Sequence, residues 1–406
     1  MINFSLIAQE ITNKKWQPVL DYTLELHKKC TYPAAYPFEY EWEEIGIGYS
    51  YGPAFGHWDI VHQVLDALVY DSDHALKQLY NNIKNQEPTG MIPGSIWLPG
   101  DRNPDRKEAK WSKEDEGHPP VWVVAVDDYV AQTGNKSVLK DFYAALIRQI
   151  SWFENNRRAN GEGFFYNDIV KRRWESGVDM GVRFDEANLG PQACIDATSH
   201  VYSLYKHANK WGKELGVKSD FYNKRENELK TFINDSLFDA KTGSYFDSWS
   251  VKDKSKQHFV LENFWPMMVG AISKERADFI IDEYLMNPKH FLSEHPITTV
   301  SMSDPKFELR MWRGPAWNSM TYWAARACIK YGRYDAAKIL LKRALDSTAN
   351  QFNKTGKIWE FYHPNSGNQK DVKRKSHNKP NMPCPDYLGH NPLWAMYKLY
   401  EEIKTR

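Results

Sequence analysis

The chain of 406 residues has few cysteines and no long apolar run. None of its four cysteines stands in the paired CxxC spacing of a zinc site or a thioredoxin-like redox site, and histidines do not recur as H-x-x-x-H. No stretch reaches the roughly 18 consecutive apolar residues that cross a membrane. These absences argue against a redox, zinc or membrane-spanning protein. We interpret Cys30, Cys194, Cys328 and Cys384 as buried or bystander thiols.

Neither sign of charge is in excess. The sequence has 53 Lys plus Arg and 52 Asp plus Glu, so no global field would draw the protein to nucleic acid or to anionic lipid. We therefore expect a largely neutral small molecule as the partner. One basic cluster lies in a polar stretch with Asn and Pro, and we interpret it as a solvated loop without a function. The cluster comprises Lys370, Lys373, Arg374, Lys375 and Lys379.

The start of the chain lacks the unbroken apolar core of a secretory signal, because Gln9, Glu10 and Asn13 interrupt it. We therefore expect a cytoplasmic protein. A periplasmic or secreted protein whose signal has been removed would look the same.

Aromatic residues, in contrast, are abundant, at 14% of the chain with 16 tryptophans. The flat face and indole N–H of tryptophan suit stacking on a pyranose ring and bonding to its hydroxyls, but tryptophan also fills cores. For a single tryptophan we favour core packing. Clustering beside Gly, Asp, Glu and Arg favours a binding role.

Helical periodicity dominates the chain, and strand signals are sparse and short. Several segments form a unit of helix, glycine-containing turn and helix, as around Gly134 and Gly332. Such units build either a closed toroid or an open solenoid. The predicted helices are 17–28, 58–70, 72–85, 121–133, 137–156, 192–215, 218–237, 262–270, 274–284, 315–331, 334–350 and 392–403.

Long irregular loops interrupt the helical pairs, at 85–120, 161–190, 287–314 and 354–389. They are rich in Trp, Pro and Gly rather than in Glu, Ser and Lys, so we expect them to be ordered and functional. A solenoid would have short, similar loops. We therefore predict an all-α fold, an α/α barrel whose site is built from long loops at one end. No Pro/Gly/Ser-rich linker divides the chain, which predicts a single domain over 1–406.

Two acidic segments flanked by aromatic residues fall in these loops, WESGVD at 174–179 and WEFYHP at 359–364. Splitting a glycosidic bond needs one carboxylic acid to protonate the leaving oxygen and one carboxylate to act on the anomeric centre, while aromatic faces hold the sugar. Both requirements are met here. The first segment offers Glu175 and Asp179, and the second offers Glu360.

Six motifs occur in the order seen in glycoside hydrolase family 63, and the chain resembles a compact member of that family. The likeness runs from about Trp58 to the C-terminus and is greatest to the short bacterial enzymes that hydrolyse glucosylglycerate or mannosylglycerate. The motifs are Trp58-Asp59, GMIP at 90–93, HPPV at 118–121, WESGVD at 174–179, WRGPAW at 312–317 and EFYHPNSG at 360–367.

The resemblance implies an (α/α)6 barrel of six helical hairpins and hydrolysis of an α-glycosidic bond with inversion, without a metal or a cofactor. The family's general acid falls on Asp179 and its general base on Glu360. The carboxyls of an inverting pair lie ~6.5–9.5 Å apart, which leaves room for a water. We expect Trp174 and Val178 to give Asp179 an apolar surround that keeps it protonated, and a cation or water to keep Glu360 ionised.

Further motif residues are expected to bind the carbohydrate substrate. Asp59 would accept bonds from sugar hydroxyls or, alternatively, satisfy free amides at a helix start. Arg313 would hold a hydroxyl or a glycerate-like carboxylate or, alternatively, balance buried acids; Arg183 has the same two interpretations. Glu175 is a rival acid, a substrate ligand or a structural acceptor. The substrate-binding residues are Trp58, Asp59, His118, Trp174, Glu175, Gly177, Arg183, Trp312, Arg313, Gly314, Trp317 and Tyr362.

Three departures from the family pattern leave the sugar and the aglycone open. Where the family has Ser-Pro-Arg after the acid motif, the chain has MGVR at 180–183; His118 replaces a Gln; and PDYLGHN at 385–391 replaces a Ser-Trp segment. The alternatives are a trehalase-like α,α-glucosidase, an epimerase that uses His118, His363 or His390, and a non-catalytic carbohydrate-binding toroid. The sequence does not predict an oligomeric state.

Overall fold

The computed structural model describes residues 13–112, 116–171, 174–185, 190–218 and 220–406. Helices make up most of the regular structure in these ranges. The α-helices are α1 (Gln17–Cys30), α2 (Asp59–Ala67), α3 (Ser72–Lys84), α4 (Trp122–Thr133), α5 (Leu139–Asn156), α6 (Asp168–Lys171), α7 (Ile195–Glu214), α8 (Asp220–Ser236), α9 (Ser248–Lys252), α10 (Trp265–Val269), α11 (Lys274–Ile280), α12 (Asn318–Lys330), α13 (Tyr334–Thr355) and α14 (Leu393–Ile403).

Every helical segment predicted from the sequence overlaps one of these helices, and α1 and α13 extend beyond the predicted ends by two and five residues. The prediction over 262–270 is the least accurate, because a 3₁₀ turn (Leu261–Phe264) precedes the short helix α10. Pro266 has no N–H and cannot continue the series of α-helical hydrogen bonds from the preceding turn. The α-helix α10 therefore begins next to this proline. The short helices α6 and α9 were not predicted, since four or five residues are too few to show a period.

The helices alternate in burial along the chain. Helices α2, α4, α7, α10, α12 and α14 contact one another in a closed cycle, each touching the next and α14 touching α2. Every residue of α2 is buried, as expected for a helix with neighbours on all sides. The helices between them bury one face; in α8 only Arg225, Leu229 and Ile233 are buried.

Strands within the described residues are short and form three antiparallel sheets. In the first sheet β1 (Thr31–Tyr32) pairs with β2 (Trp42–Glu43). In the second, β4 (Ser95–Trp97) lies between β3 (Ala54–Gly56) and β5 (Lys110–Trp111), with Phe55 opposite Ile96. In the third, β6 (Phe238–Asp239) pairs with β7 (Ser244–Tyr245). The second sheet positions the chain directly before α2.

One cluster of buried apolar side chains extends from Trp16 in the turn before α1 to Ile403 at the end of α14. The four cysteines are buried and unpaired, which confirms their prediction as buried thiols. Across the parts of the chain that are described, no helix is both long and apolar enough to cross a membrane.

A buried ionic cluster joins α1, β2, α2 and α3. The Nδ1 of His27 lies 2.5 Å from Glu43, and its Nε2 lies 3.1 Å from Asp66. His74 likewise contacts Glu41 through Nδ1 and Glu43 through Nε2. A ring with both nitrogens against carboxylates has to be an imidazolium, because only that form donates twice. Although burial lowers the pKa of His27, the two carboxylates raise it to about 10.

We predict that His27→Gln lowers the free energy of unfolding by about 3–5 kcal/mol at pH 6, because it leaves buried carboxylates without their cation. A histidine whose pKa is higher in the folded than in the unfolded protein stabilises the folded state. This stabilisation is complete below the unfolded pKa of 6.5 and is lost as pH rises through the folded pKa of about 10. Urea unfolding of both proteins at pH 6 and pH 9.5 should therefore show a smaller difference at pH 9.5. His377→Gln, at an exposed histidine, is the control. A difference independent of pH would contradict the charged state of His27.

Candidate active site

The segments that precede the buried helices converge on a cavity of about 390 Å³. Asp59 is the first residue of α2, Trp317 directly precedes α12, and His390 lies just before α14; all three line the cavity. Asp179 and Glu360 line it too. Residues far apart in sequence thus meet at one end of the buried helices.

The loop that carries Asp179 is anchored by two buried carboxylates. Glu175 accepts hydrogen bonds from Arg157 Nε at 2.7 Å and from Nη2 at 2.8 Å. Asp168 accepts the backbone N–H of Ser176 at 2.8 Å and its hydroxyl at 2.7 Å. Charge-assisted bonds of this kind are strong and directional. They attach the loop to α6 and to Arg157, which directly follows α5. The loop in turn fixes the position from which Asp179 reaches the cavity.

The backbone around Asp179 is in a conformation that few residues adopt. Gly177 has φ 73°, and a Cβ there would lie 3.3 Å from Pro119 and 3.5 Å from Trp58. Met180 has φ 63°, left-handed and costly for a side chain without a compensating contact. The guanidinium of Arg313 donates to the Met180 carbonyl at 3.0 Å, which is such a contact.

Asp179 forms an ion pair across the cavity. Lys375 Nζ lies 2.6 Å from Asp179 Oδ2, and both side chains are about four-fifths buried, with 19% and 21% exposed. Burial alone would lower the pKa of Lys375, but the Asp179 carboxylate raises it above its ordinary value. The surround of Asp179 is therefore more polar than the apolar one expected from Trp174 and Val178.

Glu360 is bound by the residue before Lys375. Arg374 donates from Nε to Oε2 at 2.7 Å and from Nη2 to Oε1 at 3.0 Å, and the backbone N–H of Cys384 donates to Oε2 at 3.1 Å. Burial would lower the pKa of Arg374, but Glu360 raises it. The cation that we expected beside Glu360 is thus this guanidinium.

The interpretation of the basic cluster as a solvated loop is wrong for two of its members. Arg374 is only 3% exposed, and Lys375 is directed into the cavity. Composition suggested a surface loop because Lys, Asn and Pro are usually solvated. The carboxylates that bury these two cations come from remote parts of the chain, so the local sequence carries no sign of them.

Asp59 and Glu116 are two further carboxyl groups in the cavity. The hydroxyl of Tyr387 donates to the Oδ1 of Asp59 at 2.7 Å. Burial raises the pKa of Asp59 to about 7, with the negative charges of Glu360 and Asp179 adding to the effect and the Tyr387 bond opposing it. Gly389 lets this segment approach, since a Cβ there would lie 2.7 Å from the Asp59 Cβ. Near neutral pH Asp59 therefore exists in both protonation states.

Aromatic side chains form two walls. On one, Trp312 and Trp317 stack with centroids 3.8 Å apart and planes 7° apart, and the His390 ring meets both edge-on. On the other, Trp174 lies edge-on to His118, with centroids 5.0 Å apart. Burial lowers the pKa of His118 to about 3 and that of His390 well below its ordinary value. Both histidines are neutral at physiological pH.

Nine of the predicted site residues line this cavity: Trp58, Asp59, His118, Trp174, Gly177, Asp179, Trp312, Trp317 and Glu360. The other five lie behind its walls. Glu175 is bound to Arg157, which supports its interpretation as a structural acceptor. Tyr362 is fully buried, with its ring stacked on His295. A motif residue can hold the protein's own structure in place instead of contacting a ligand. Glu175 and Tyr362 do so.

Arg183, Arg313 and Gly314 also lie outside the set of described residues that line the cavity. Arg183 is buried among Asp196, Asp247 and Glu262 and contacts all three carboxylates. Arg313 binds Asp185 through both terminal nitrogens, at 2.8 Å each, and Glu308 through Nε at 3.0 Å. Gly314 contacts the Glu308 carbonyl so closely that a Cβ would lie 2.5 Å from it. For both arginines the structure supports the alternative, a cation that balances acids.

Several lining residues were not predicted. Tyr387 and His390 lie in the segment that departs from the family pattern, and that departure was the available signal. Other lining residues come from the loops around β3, β4 and β5 and from the basic cluster, where the sequence offers no motif. They are Ile45, Tyr49, Tyr51, Ser95, Trp97, Arg106, Lys110, Trp111, Ser112, Glu116, Arg374 and Lys375.

A larger cavity of about 780 Å³ is lined by the C-terminal parts of the same buried helices. Two of its three acids are paired within the described structure, since Asp127 contacts Lys210 and His207, and Asp128 contacts Arg326; the third, Glu402, is exposed. The smaller cavity is the better candidate for an active site, because four carboxyl groups, those of Asp59, Glu116, Asp179 and Glu360, and the aromatic walls meet there.

Two curated relatives match much of the chain. A mannosylglycerate hydrolase from Rubrobacter radiotolerans is 20% identical over 404 residues, which covers 82% of this chain and 87% of the relative. An uncharacterised protein from Borreliella burgdorferi is 24% identical over 305 residues, covering 73% of this chain. That match spans only 60% of the Borreliella protein, less than two thirds of its length.

Solved structures share the fold. The GH63 mannosylglycerate hydrolase of Thermus thermophilus, solved with glucose, superposes with a TM-score of 0.72 at 16% identity, over 95% of this chain and all of that one. The neutral trehalase of Saccharomyces cerevisiae superposes with a TM-score of 0.62 at 16% identity, over 86% of this chain and 72% of the trehalase. At such identities these matches establish a common helical fold and nothing further.

The family is established by the sequence itself. Residues 53–378, most of the chain, match the model of the mannosylglycerate hydrolase MGH1-like glycoside hydrolase domain. The range includes Asp59, Asp179, Glu360 and both cations that bind the carboxylates, so the cavity described above falls largely within the matched part. The resemblance to glycoside hydrolase family 63 drawn from the motifs is thereby confirmed, and the chain belongs to the MGH1-like family of glycoside hydrolase domains.

Proposed function

We propose that the protein is an inverting α-glycosidase in which Asp179 is the general acid and Glu360 the general base. The observation that supports this most is that both carboxylates line one cavity and are bound by consecutive residues, Asp179 by Lys375 and Glu360 by Arg374. One dipeptide reaches both groups and the charges of both act on Asp59, which supports a pair of carboxyl groups that act on the two faces of one sugar ring, as inversion requires.

Glu360 suits the base. Its Oε1 accepts one bond, from Arg374 Nη2, so a second lone pair is left for a water. In the reaction the protonated Asp179 gives its proton to the glycosidic oxygen while the bond from that oxygen to the anomeric carbon breaks. The water adds OH to the opposite face of the carbon and its proton passes to Glu360. Exchange of protons with solvent restores both groups.

For the substrate we propose a small α-mannoside or α-glucoside with an acidic aglycone, as in the mannosylglycerate for which the Rubrobacter relative is named. Arg106 lines the cavity and, within the described residues, donates only to the carbonyls of Tyr51 and Leu98. Lys110 lines it with no ion pair in the same part of the chain. Two cations that have no carboxylate partner among the described residues favour an anionic group on the substrate.

We further propose an (α/α)6 barrel formed by one domain over 1–406. The closed cycle of α2, α4, α7, α10, α12 and α14 supports an inner ring. Helices α1, α3, α5, α8, α11 and α13 each precede one inner helix and supply the outer ring, giving six hairpins. The single apolar cluster from Trp16 to Ile403 supports one domain.

The alternatives have less support. Trehalose is neutral and would leave Arg106 and Lys110 without a partner, although the trehalase fold is shared. An epimerase needs a histidine that accepts a proton near neutral pH. The lowered pKa of about 3 makes His118 a poor base, and that of His390 is also strongly lowered. A non-catalytic carbohydrate-binding protein would not need two carboxylates held against cations in the same cavity.

Removing the proposed acid and base should have different consequences for different leaving groups. Asp179→Asn is expected to lower kcat on α-mannosylglycerate about 10²–10⁴-fold but to cost much less on a dinitrophenyl α-mannoside, whose leaving group needs little protonation. Glu360→Gln should cost several orders of magnitude on both, because each reaction needs the activated water. Steady-state kinetics with Asp105→Asn, an exposed acid, as the control would measure this. Near-normal turnover of either variant would contradict the assignment of Asp179 as the acid and Glu360 as the base.

The stereochemical course can be measured directly. NMR of the sugar released from an α-mannosylglycerate or α-glucosylglycerate should show the β-anomer first, with the α-anomer appearing only by mutarotation, because the water attacks the face opposite the aglycone. The same assay with trehalose should give little or no glucose. First release of the α-anomer would exclude inversion.

Asp59→Asn is expected to weaken substrate binding and to stabilise the protein. An acid whose folded pKa is raised from 3.8 to about 7 costs stability as pH rises between these values, because the folded state resists ionisation. The variant has no such cost, and it should gain up to about 4 kcal/mol over wild type at pH 8 and progressively less toward pH 4. Thermal melts across pH and KM for the glycoside would check both effects. A variant that is less stable at pH 8 than at pH 4, relative to wild type, would contradict the buried acid.

A further inference from the structure

We propose that the larger cavity, at the end of the buried helices opposite the candidate active site, binds an organic anion with a flat apolar body. No step of the proposed hydrolysis uses this cavity of about 780 Å³. Among the residues that the structure describes, the two cavities have no lining residue in common. The proposal therefore concerns a second ligand site, separate from the one that acts on the glycoside.

The buried part of the cavity wall is apolar and aromatic. Trp265 and Trp323 line it with their ring centroids 6.1 Å apart. The indole N–H of Trp323 donates to His62 Nε2 at 3.0 Å, which fixes the orientation of the ring. Small-molecule sites are cavities of roughly this size, with mostly apolar walls and a few polar groups. Further apolar lining residues are Leu65, Val124, Met268 and Tyr322.

One buried polar atom in this wall has no partner. His200 lines the cavity and is only 2% exposed. Its Nδ1 lies 2.8 Å from the hydroxyl of Tyr166, whereas its Nε2 has no hydrogen-bond partner within the described part of the chain. Burial lowers the pKa of His200 to about 3, so the ring is neutral. A buried polar atom without a partner is uncommon in folded proteins, and a ligand that bonds to it would remove its cost.

The charged side chains of the cavity are mostly cations. Asp127 pairs with Lys210 and His207, and Asp128 pairs with Arg326. Glu402 is exposed. Three lysines have no carboxylate partner in the described ranges, and their positive charge favours an anionic ligand. These lysines are Lys206, Lys330 and Lys398.

Two of these lysines meet at one carbonyl group. Lys206 Nζ donates to the carbonyl of Val269, the last residue of α10, at 3.0 Å, and Lys330 Nζ donates to it at 3.4 Å. Gly270 makes room for this arrangement, since a Cβ there would lie 2.1 Å from Lys330 Nζ. Lysines often bind the last carbonyls of a helix, which accounts for these two bonds. An ammonium has three donors, however, so each lysine keeps donors for a ligand.

The two ammonium groups also repel each other. Burial lowers the pKa of Lys330 to about 7, and the positive charge of Lys206 adds to the effect. An anion bound between the two groups would offset this repulsion, because it attracts both. The lysines thus supply the site for the anionic group, and the tryptophans supply the surface for the apolar body.

The binding test uses 8-anilinonaphthalene-1-sulfonate, a flat organic anion whose fluorescence increases in apolar surroundings. At pH 6, where Lys330 is mostly protonated, the wild-type protein should bind this probe at one saturable site. The double variant Lys206→Gln/Lys330→Gln keeps donors for the Val269 carbonyl but loses both charges, so it should bind the probe about tenfold more weakly. N-phenyl-1-naphthylamine, which lacks the sulfonate, should bind both proteins equally well.

Three further variants locate the probe. Lys29→Met, at an exposed lysine of α1, and Lys110→Met, which removes a cation from the active-site cavity, should leave binding unchanged. Val124→Trp fills part of the larger cavity and should weaken the binding of both probes. Near-UV circular dichroism would show that each variant is folded.

Competition identifies the anionic group. Both 1-naphthoate and 1-naphthyl phosphate should displace the probe, and the one that does so at the lower concentration shows whether a carboxylate or a phosphate fits better. Neutral 1-naphthol should displace it far less well.

Absence of saturable binding to the wild-type protein would refute the proposal, as would equal binding by the double variant. Loss of binding in Lys110→Met would place the probe in the active-site cavity and would also overturn it. Because no measurement involves turnover, these outcomes are independent of whether Asp179 and Glu360 act as acid and base.

Discussion

The contact on which the cavity depends is the ion pair between Glu360 and Arg374, each only 3% exposed. A carboxylate with so little water needs a compensating charge, and Arg374 supplies it with two hydrogen bonds while the Cys384 amide supplies a third. Because Arg374 is fixed in this way, Lys375 is directed at Asp179. The two cations that bind the proposed catalytic groups are therefore consecutive residues of one segment.

The remaining walls show how a helical protein supports such a site. Buried charges recur behind the cavity in the same form: Glu175 with Arg157, and Arg183 with three carboxylates. These pairs hold irregular loops where regular backbone hydrogen bonding is absent. In the described residues, the non-glycine positions with a left-handed backbone are Met180, Met311 and Asp386, and each lines the cavity or adjoins a lining residue. Strain is thus concentrated where the loops meet, and rigid contacts around them offset its cost.

The helical elements were predictable because their information is local. A helix with one or all faces buried repeats apolar residues at a fixed period, and capping residues mark its ends, as Asp71 does by accepting the His74 amide at the start of α3. The proposed acid and base were predictable from short motifs for a similar reason. The roles of Arg183, Arg313 and Arg374 were not predictable. The sequence around an arginine does not show whether its guanidinium binds a substrate, pairs with buried acids or is exposed to solvent.

What the sequence by itself determined is the helical pattern, the family and the positions of Asp179 and Glu360 in it. What only the tertiary structure decided is which charges pair. Lys375 forms an ion pair with Asp179, and Arg374 forms one with Glu360. Both pairs form because the folded chain brings separate loops to one cavity. Ion pairing depends on distance and on exclusion of water, and both arise only after the helices have packed. A residue that composition assigns to solvent can therefore lie against the proposed acid.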